Sequence, residues 1–178
     1  MTIEGFEEDL RAAPTQVGTV RLIVRRPAVD EREVVSEARL DVDEGLVGDT
    51  WRVRGSSSTA DGSAHPEAQV TVMSARAAAG ITGDIDRWPL AGDQLYVDFD
   101  ISEENLPAGT RLWVGDAEIE VSAKPHTGCA KFSTRFGKDA LRLVSSPEGR
   151  TLRLRGMNAR VTKSGTVRVG DRIAPVDS

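Results

Sequence analysis

The chain has 178 residues and only one cysteine, Cys129, so it can form no internal disulfide framework and no structural zinc site built from a cysteine set. Histidine is almost as scarce, with His65 and His126 alone. No apolar run approaches the roughly 20 residues of a membrane span. The opening "MTIEGFEEDLRAA" is acidic where a signal peptide would be basic and then apolar. The expectation is a protein free of membrane, working in the cytoplasm with its thiol reduced. Basic residues are outnumbered, 23 against 28, which argues against a nucleic-acid binder, whose phosphate contacts need a broad cationic face. No Ser-His-Asp order, phosphate-binding Gly-Lys-Ser loop or dinucleotide glycine pattern is present.

That charge is unevenly spread. Between Lys124 and Arg160 nine Lys or Arg face two acids, Asp139 and Glu148, a surplus of seven; the other 14 basic and 26 acidic residues leave −12. Such a window suits either a solvated basic face or a site for a compact anion such as a phosphate.

The length fits one domain of about 100–200 residues. Residues 1–16 are polar, with "AAP" near the end, and are expected as an N-terminal tail or short helix, with the domain proper over 17–178. From Gly18 the pattern turns to strands. Val20, Leu22 and Val24 alternate with Thr19, Arg21 and Ile23, and residues 35–42 alternate less cleanly. "RGSSSTADGSAHPEA" reads as a rim loop. "AQVTVMS" reads as a buried strand, and "ARAAAGI" as a short helix capped by Ser74 and stopped at Gly80. In "DQLYVDFD", Leu95, Val97 and Phe99 alternate with polar partners. Gly115-Asp116 joins two strands of "TRLWVGDAEIEV" in the clearest hairpin signal of the chain. "AKFSTRF" and "KDALRLVSS" read as helices parted by Gly137 and closed by Pro147, and strands resume after Asn158. Many short strands with few helices make a mainly β, barrel-like or sandwich-like fold.

Cys129 lies in "KPHTGCAKFSTRFG", after a hairpin strand and at the start of a short helix, where free N–H groups favour an anion. Lys131, His126 if protonated, and Arg135 would lower the thiol pKa further, and a thiolate attacks sulfur or binds a soft metal. Pro125 and Gly128 suit a loop that presents a thiol at an element junction. An inert, buried cysteine is the alternative. Arg135 and Lys131 are candidate phosphate or pterin contacts, or solvated helix residues. Arg153, Arg155 and Asn158 in "RLRGMNAR" form the far wall of an anion pocket or an ordinary charged strand. His126 orients or protonates substrate, or only hydrogen-bonds in its loop. Asp49 in "GLVGD" reads as a turn cap.

The cysteine segment, with "GLVGD", "GDQLYVDFDISEENLPAGTRLWVGDAEIEV" and "RLRGMNARVTKSGTVRVGDRI", resembles the MOSC domain family, named for the C-terminal domain of molybdenum-cofactor sulfurase. The likeness runs from about Gly18 to Ile173. It implies a MOSC-type β-barrel-like domain with a few short helices, associated with the molybdenum cofactor (molybdopterin). It also implies two roles for Cys129: a molybdenum ligand in members that reduce N-hydroxylated compounds, or a sulfur carrier holding a persulfide. The first implies a small-molecule substrate and a separate electron-donating reductase as partner, the second a cysteine desulfurase. The related reductases commonly carry a histidine-glycine-glycine segment near the place of His65; it is absent here, which weakens any transfer of their substrate handling. Pyridoxal phosphate belongs to the desulfurase half of the sulfurases and is not expected to bind.

Overall fold

The computed structural model describes residues 2–177. Eleven strands are laid down in chain order: β1 (Gly18–Arg25), β2 (Glu33–Val35), β3 (Glu37–Asp41), β4 (Gly45–Leu46), β5 (Val70–Ser74), β6 (Leu95–Asp98), β7 (Arg111–Val114), β8 (Ala117–Val121), β9 (Met157–Lys163), β10 (Gly165–Arg168) and β11 (Arg172–Pro175). Seven of them run β11-β7-β8-β9-β5-β6-β1, and β1 pairs back with β11 through Gly18↔Ile173. The result is a closed seven-stranded barrel, which removes exposed edges from those strands. β2 adds to the barrel at β1, while β10, β3 and β4 make a small second sheet. All pairs are antiparallel except β5–β6, whose crossover holds α3 (Ala75–Thr82) and a 3₁₀ segment, Ile85–Ala91.

The remaining helices are α1 (Glu7–Arg11), α2 (Trp51–Arg54), α4 (Ala130–Phe136), α5 (Lys138–Ser145) and α6 (Pro147–Thr151). No helix among the described residues is long and apolar enough to cross a membrane. Two apolar clusters result. The barrel interior holds Val20, Ile23, Val72, Leu95, Val97, Phe99, Ile119 and Ala159; a second layer, outside the wall, seats Leu10, Met73, Ala77, Tyr96, Phe132 and Val144 under α1, α3, α4 and α5. β6 therefore buries both of its faces, with Leu95 and Val97 inward and Tyr96 outward.

Three details differ from the sequence pattern. The alternation of β1 breaks at a bulge between Val20 and Leu22, so that Val20 and Ile23 enter the barrel while Leu22 and Val24 face the second layer. α3 begins at the expected cap, Ser74 Oγ accepting from Ala77 N at 3.3 Å, but ends at Gly83. Gly80 lies inside the helix, where a Cβ would collide with the ring of Phe6, so its smallness serves close approach and not termination. Pro147 ends nothing: it opens α6, with Ser146 Oγ accepting from Gly149 N at 3.0 Å.

Candidate functional site

The hairpin forms as its dipeptide requires: Gly115 has φ 58°, and Leu112 opposes Ile119. β8 ends at Val121, and residues 122–128 form a loop before α4. Ser122 N donates to Asn158 O (3.0 Å), and Asn158 Nδ2 donates to the carbonyls of Lys124 (3.1 Å) and Pro125 (3.2 Å). Asn158 is buried on β9 and fastens the loop from below. Gly128 meets α5: a Cβ there would stand 2.5 Å from Leu141 Cδ1 and 3.3 Å from Val144 Cγ2. Cys129 follows as the N-cap of α4. Its carbonyl accepts from Ser133 N (3.1 Å) and its side chain is exposed, not packed as a core thiol.

One face of the loop walls a cavity of about 510 Å³, large enough for a small organic ligand. Its lining includes Lys124, His126, Gly128, Arg150, Arg153 and Arg155, with Glu103 as the acid; Arg155 is paired from behind by a buried carboxylate, so three further cations face one acid. Arg153, at φ 48°, is held by the carbonyls of Ile101 (3.1 Å) and Leu106 (2.7 Å), and burial pushes its pKa down. No hydrogen bond or ion pair engages the Arg150 guanidinium among the described residues.

Beneath the cavity lies a carboxylate that the sequence did not single out. Asp93 is fully buried; one oxygen takes an ion pair from Arg155, and the other meets His126 Nε2 at 2.9 Å. Burial alone would raise the Asp93 carboxyl, but the Arg155 charge, then the contact with His126 and the hydrogen bonds from both, outweigh it and hold the group below the usual carboxylate range. Burial, then the Arg155 charge, pushes His126 below its ordinary value despite Asp93, so the ring is neutral at pH 7. The ionised Asp93 accepts a hydrogen bond from Nε2–H, which leaves Nδ1 as the unprotonated nitrogen of a residue whose side chain is 16% exposed and lines the cavity. Gly156, φ 99°, lets the chain pass this pair: a Cβ would stand 3.1 Å from Asp93 Oδ1 and 3.3 Å from His126 Cδ2. Arg155 Nε has no hydrogen-bond partner among the described residues, and its guanidinium carbon stands 5.0 Å from the centroid of Phe132.

Of the residues expected to act together, His126, Arg153 and Arg155 do share the cavity. Lys131 and Arg135 lie elsewhere: both reach one oxygen of Asp30, at 2.8 and 3.2 Å, and Arg135 also donates to Leu90 O (2.8 Å). Cys129 stands at the start of the helix that carries them, one residue past the cavity lining. Asp49 does cap its turn, Oδ1 accepting from Trp51 N at 2.9 Å, and it also locks Arg26. Sequence reasoning missed Asp93 because "AGDQ" looks like an ordinary turn; no local signal marks that aspartate as buried.

The MOSC domain family model matches residues 59–174. The chain belongs to the MOSC domain family. The matched stretch begins after β4, although β1 is needed to close the barrel. Similar solved structures include YuaD from Bacillus subtilis (15% identity, TM-score 0.68, 88% of this chain and 94% of that one). Others are YiiM from Escherichia coli (19%, 0.59, 89% and 69%) and YiiM from Geobacillus stearothermophilus (13%, 0.58, 89% and 75%). Identities this low establish the MOSC barrel fold and nothing finer. A search of curated proteins returns no match. The MOSC family is associated with molybdenum-cofactor binding and sulfur-related function. No cluster of three or more His, Cys, Asp or Glu able to hold a metal occurs among the described residues. The residues present fit the molybdenum cofactor: the cavity has the volume and positive surplus for a phosphorylated pterin, and a soft, exposed thiol follows its wall.

Proposed function

We propose that this MOSC protein binds the molybdenum cofactor, with Cys129 as thiolate ligand of the metal, and reduces small N-hydroxylated or N-oxide compounds. One observation carries the reading: the only thiol of the chain is exposed at the residue that follows the wall of a strongly cationic cavity. Lys124, Arg150 and Arg153 bind the anionic part of the cofactor there. When bound, the cofactor supplies a redox metal centre able to accept an oxygen atom. His126, held by Asp93 at Nε2, accepts or relays a proton at Nδ1. Reducing an N–OH group to N–H consumes two electrons and two protons, breaks the N–O bond and releases water; the electrons come from a separate reductase. The cytoplasm, where an unpaired thiol stays reduced, suits this chemistry.

A second reading rests on the exposure of Cys129 outside the cavity lining, which leaves its sulfur open to a bulky protein donor. As a sulfur carrier, Cys129 thiolate attacks the outer sulfur of a cysteine desulfurase persulfide; a new S–S bond forms as the old one breaks, and the donor thiolate leaves.

Protein produced in molybdenum-replete cells separates the two. The first expects near-stoichiometric molybdenum and pterin, lost in Cys129→Ala and depleted in Arg150→Gln. A persulfide on Cys129 of metal-free protein favours the second. Absence of both in protein from such cells overturns both.

A further inference from the structure

Four consecutive carbonyls at the end of the 3₁₀ segment each accept from a different arginine. Pro89 O takes Arg32 Nε (3.1 Å), Leu90 O takes a terminal nitrogen of Arg135 (2.8 Å), Ala91 O one of Arg155 (2.8 Å), and Gly92 O one of Arg26 (3.2 Å). The partial negative charge of a helix C-terminus gathers these side chains without neutralising them.

Two of the four point inward and are matched by carboxylates that are themselves buried. Arg155 meets Asp93, and Arg26 makes a two-pronged pair with Asp49 at 2.8 and 2.9 Å. The other two are not matched in this way. Arg32, half-buried, has carbonyl partners only, Pro89 and Glu31, among the described residues. Arg135 shares one exposed carboxylate, Asp30, with Lys131. Arg54 of α2 joins them: α2 is docked on Arg26, whose carbonyl accepts from the N-cap Thr50 N at 3.0 Å, and no hydrogen bond or ion pair engages the Arg54 side chain among the described residues. Beyond the inward pairs, Arg32, Lys131 and Arg135 share one acid, Asp30, and no acid is paired with Arg54 among the described residues. Burial and repulsion from Arg135 and Arg26 push the Arg32 pKa down. Guanidiniums crowded in this way are costly unless an anion joins them.

We propose that Arg32, Arg54 and Arg135 form a binding site for a phosphate-type oxyanion, separate from the cavity and on the flank of α4. Three guanidiniums offer the forked N–H geometry that phosphate oxygens match. None of the three lines the cavity. Arg135 follows Cys129 by six residues along α4, an axial rise of about 9 Å. A phosphate monoester held here reaches the thiol with the far end of a small molecule. That use rests on the proposed function; the oxyanion site itself does not. The phosphate belongs either to a phosphorylated substrate or to the cofactor, and the two sources share one chemistry.

Inorganic phosphate is the probe, titrated into metal-free protein at constant ionic strength against chloride, with binding followed by calorimetry and by Tm. Phosphate should bind the wild type and raise its Tm, and Arg54→Gln should weaken binding about tenfold or more, the loss of one charge-assisted contact. Arg54 is exposed and has no side-chain partner among the described residues, so this variant keeps the fold; Arg32→Gln should weaken binding likewise. No binding by wild type, or equal binding by Arg54→Gln, overturns the proposal. So does loss of binding in Arg150→Gln alone, which would move the oxyanion into the cavity. Pterin content of Arg54→Gln from molybdenum-replete cells then assigns the source: depleted pterin means the cofactor's phosphate, unchanged pterin a substrate's. Because phosphate binding is read without metal, failure of the molybdenum assay leaves this result standing.

Discussion

Replacing Asp93 by Asn keeps the shape of the side chain and removes its charge. Arg155, whose side chain is 7% exposed, is then left buried without a counter-ion. Breaking a buried pair from one side typically costs about 3–5 kcal/mol, mostly the penalty of the stranded charge. At about 2.1 cal/mol/K of unfolding entropy per residue, 178 residues convert that to a fall in Tm of roughly 8–13 °C. Differential scanning calorimetry at pH 7 measures it. The double variant Asp93→Asn/Arg155→Met should recover part of the loss, since it removes the stranded charge as well. Acid gives an independent check. The native Asp93 carboxyl titrates below its unfolded value of about 3.9, so its stabilisation is present above that pH and is lost as pH falls through the lower native value. The variant lacks this component. A cost below about 1 kcal/mol, or a double variant no better than the single one, would refute the claim that Asp93 and Arg155 act as a coupled buried pair.

The His126 ring is depressed by burial and by Arg155, with Arg26 adding to it and Asp93 opposing. The unfolded chain therefore takes up its proton first, and stability declines as pH falls below about 6.5 until the native ring itself titrates. His126→Gln should flatten urea midpoints across that window, and an unchanged slope would exclude His126 as the cause. Cys129, being exposed, should be alkylated to one adduct per chain by iodoacetamide in the native protein, read by mass spectrometry. Cys129→Ser should move stability by no more than about 0.5 kcal/mol; labelling that requires denaturant would contradict the exposed position. In Gly128→Ala the new methyl meets Leu141 Cδ1, the mobile end of a side chain, so the cost should lie near the low end of overpacking, about 1 kcal/mol by thermal melts. Loss of folding there would mean that the loop and α5 are less able to yield than the contact suggests.

What the sequence reveals depends on how near the cause lies to the residue. The β7–β8 hairpin is legible because Gly115-Asp116 sets it locally, and the start of α3 because Ser74 caps it three residues on. Closure of the barrel is not, since Gly18 pairs with Ile173 across nearly the whole chain. Gly80 misleads because its reason is a ring in the N-terminal segment. The site divides in the same way. Cys129 at a loop-helix junction follows from the residues on either side of it. Asp93 finds its partners 33 and 62 positions away, and Lys131 meets Asp30 across 101 positions. Helical spacing does put Lys131 and Arg135 on one face of α4, but nothing local tells that the face turns toward Asp30 instead of the cavity.

An acidic chain that concentrates guanidiniums at one end of its barrel must offset their repulsion somehow, and two devices differ in what they leave behind. A buried carboxylate cancels the charge: Asp93 and Asp49 do this for Arg155 and Arg26, and those two arginines become part of the scaffold. A carbonyl satisfies the N–H groups without cancelling anything, which is the situation of Arg32 and, apart from the shared Asp30, of Arg135. Segment 89–92 thus sorts four arginines into two that hold the fold and two that keep their charge for a ligand. The inward pair stiffens the floor under His126, so variants there should act on stability first, whereas variants of the outward pair should act on anion affinity with the fold intact.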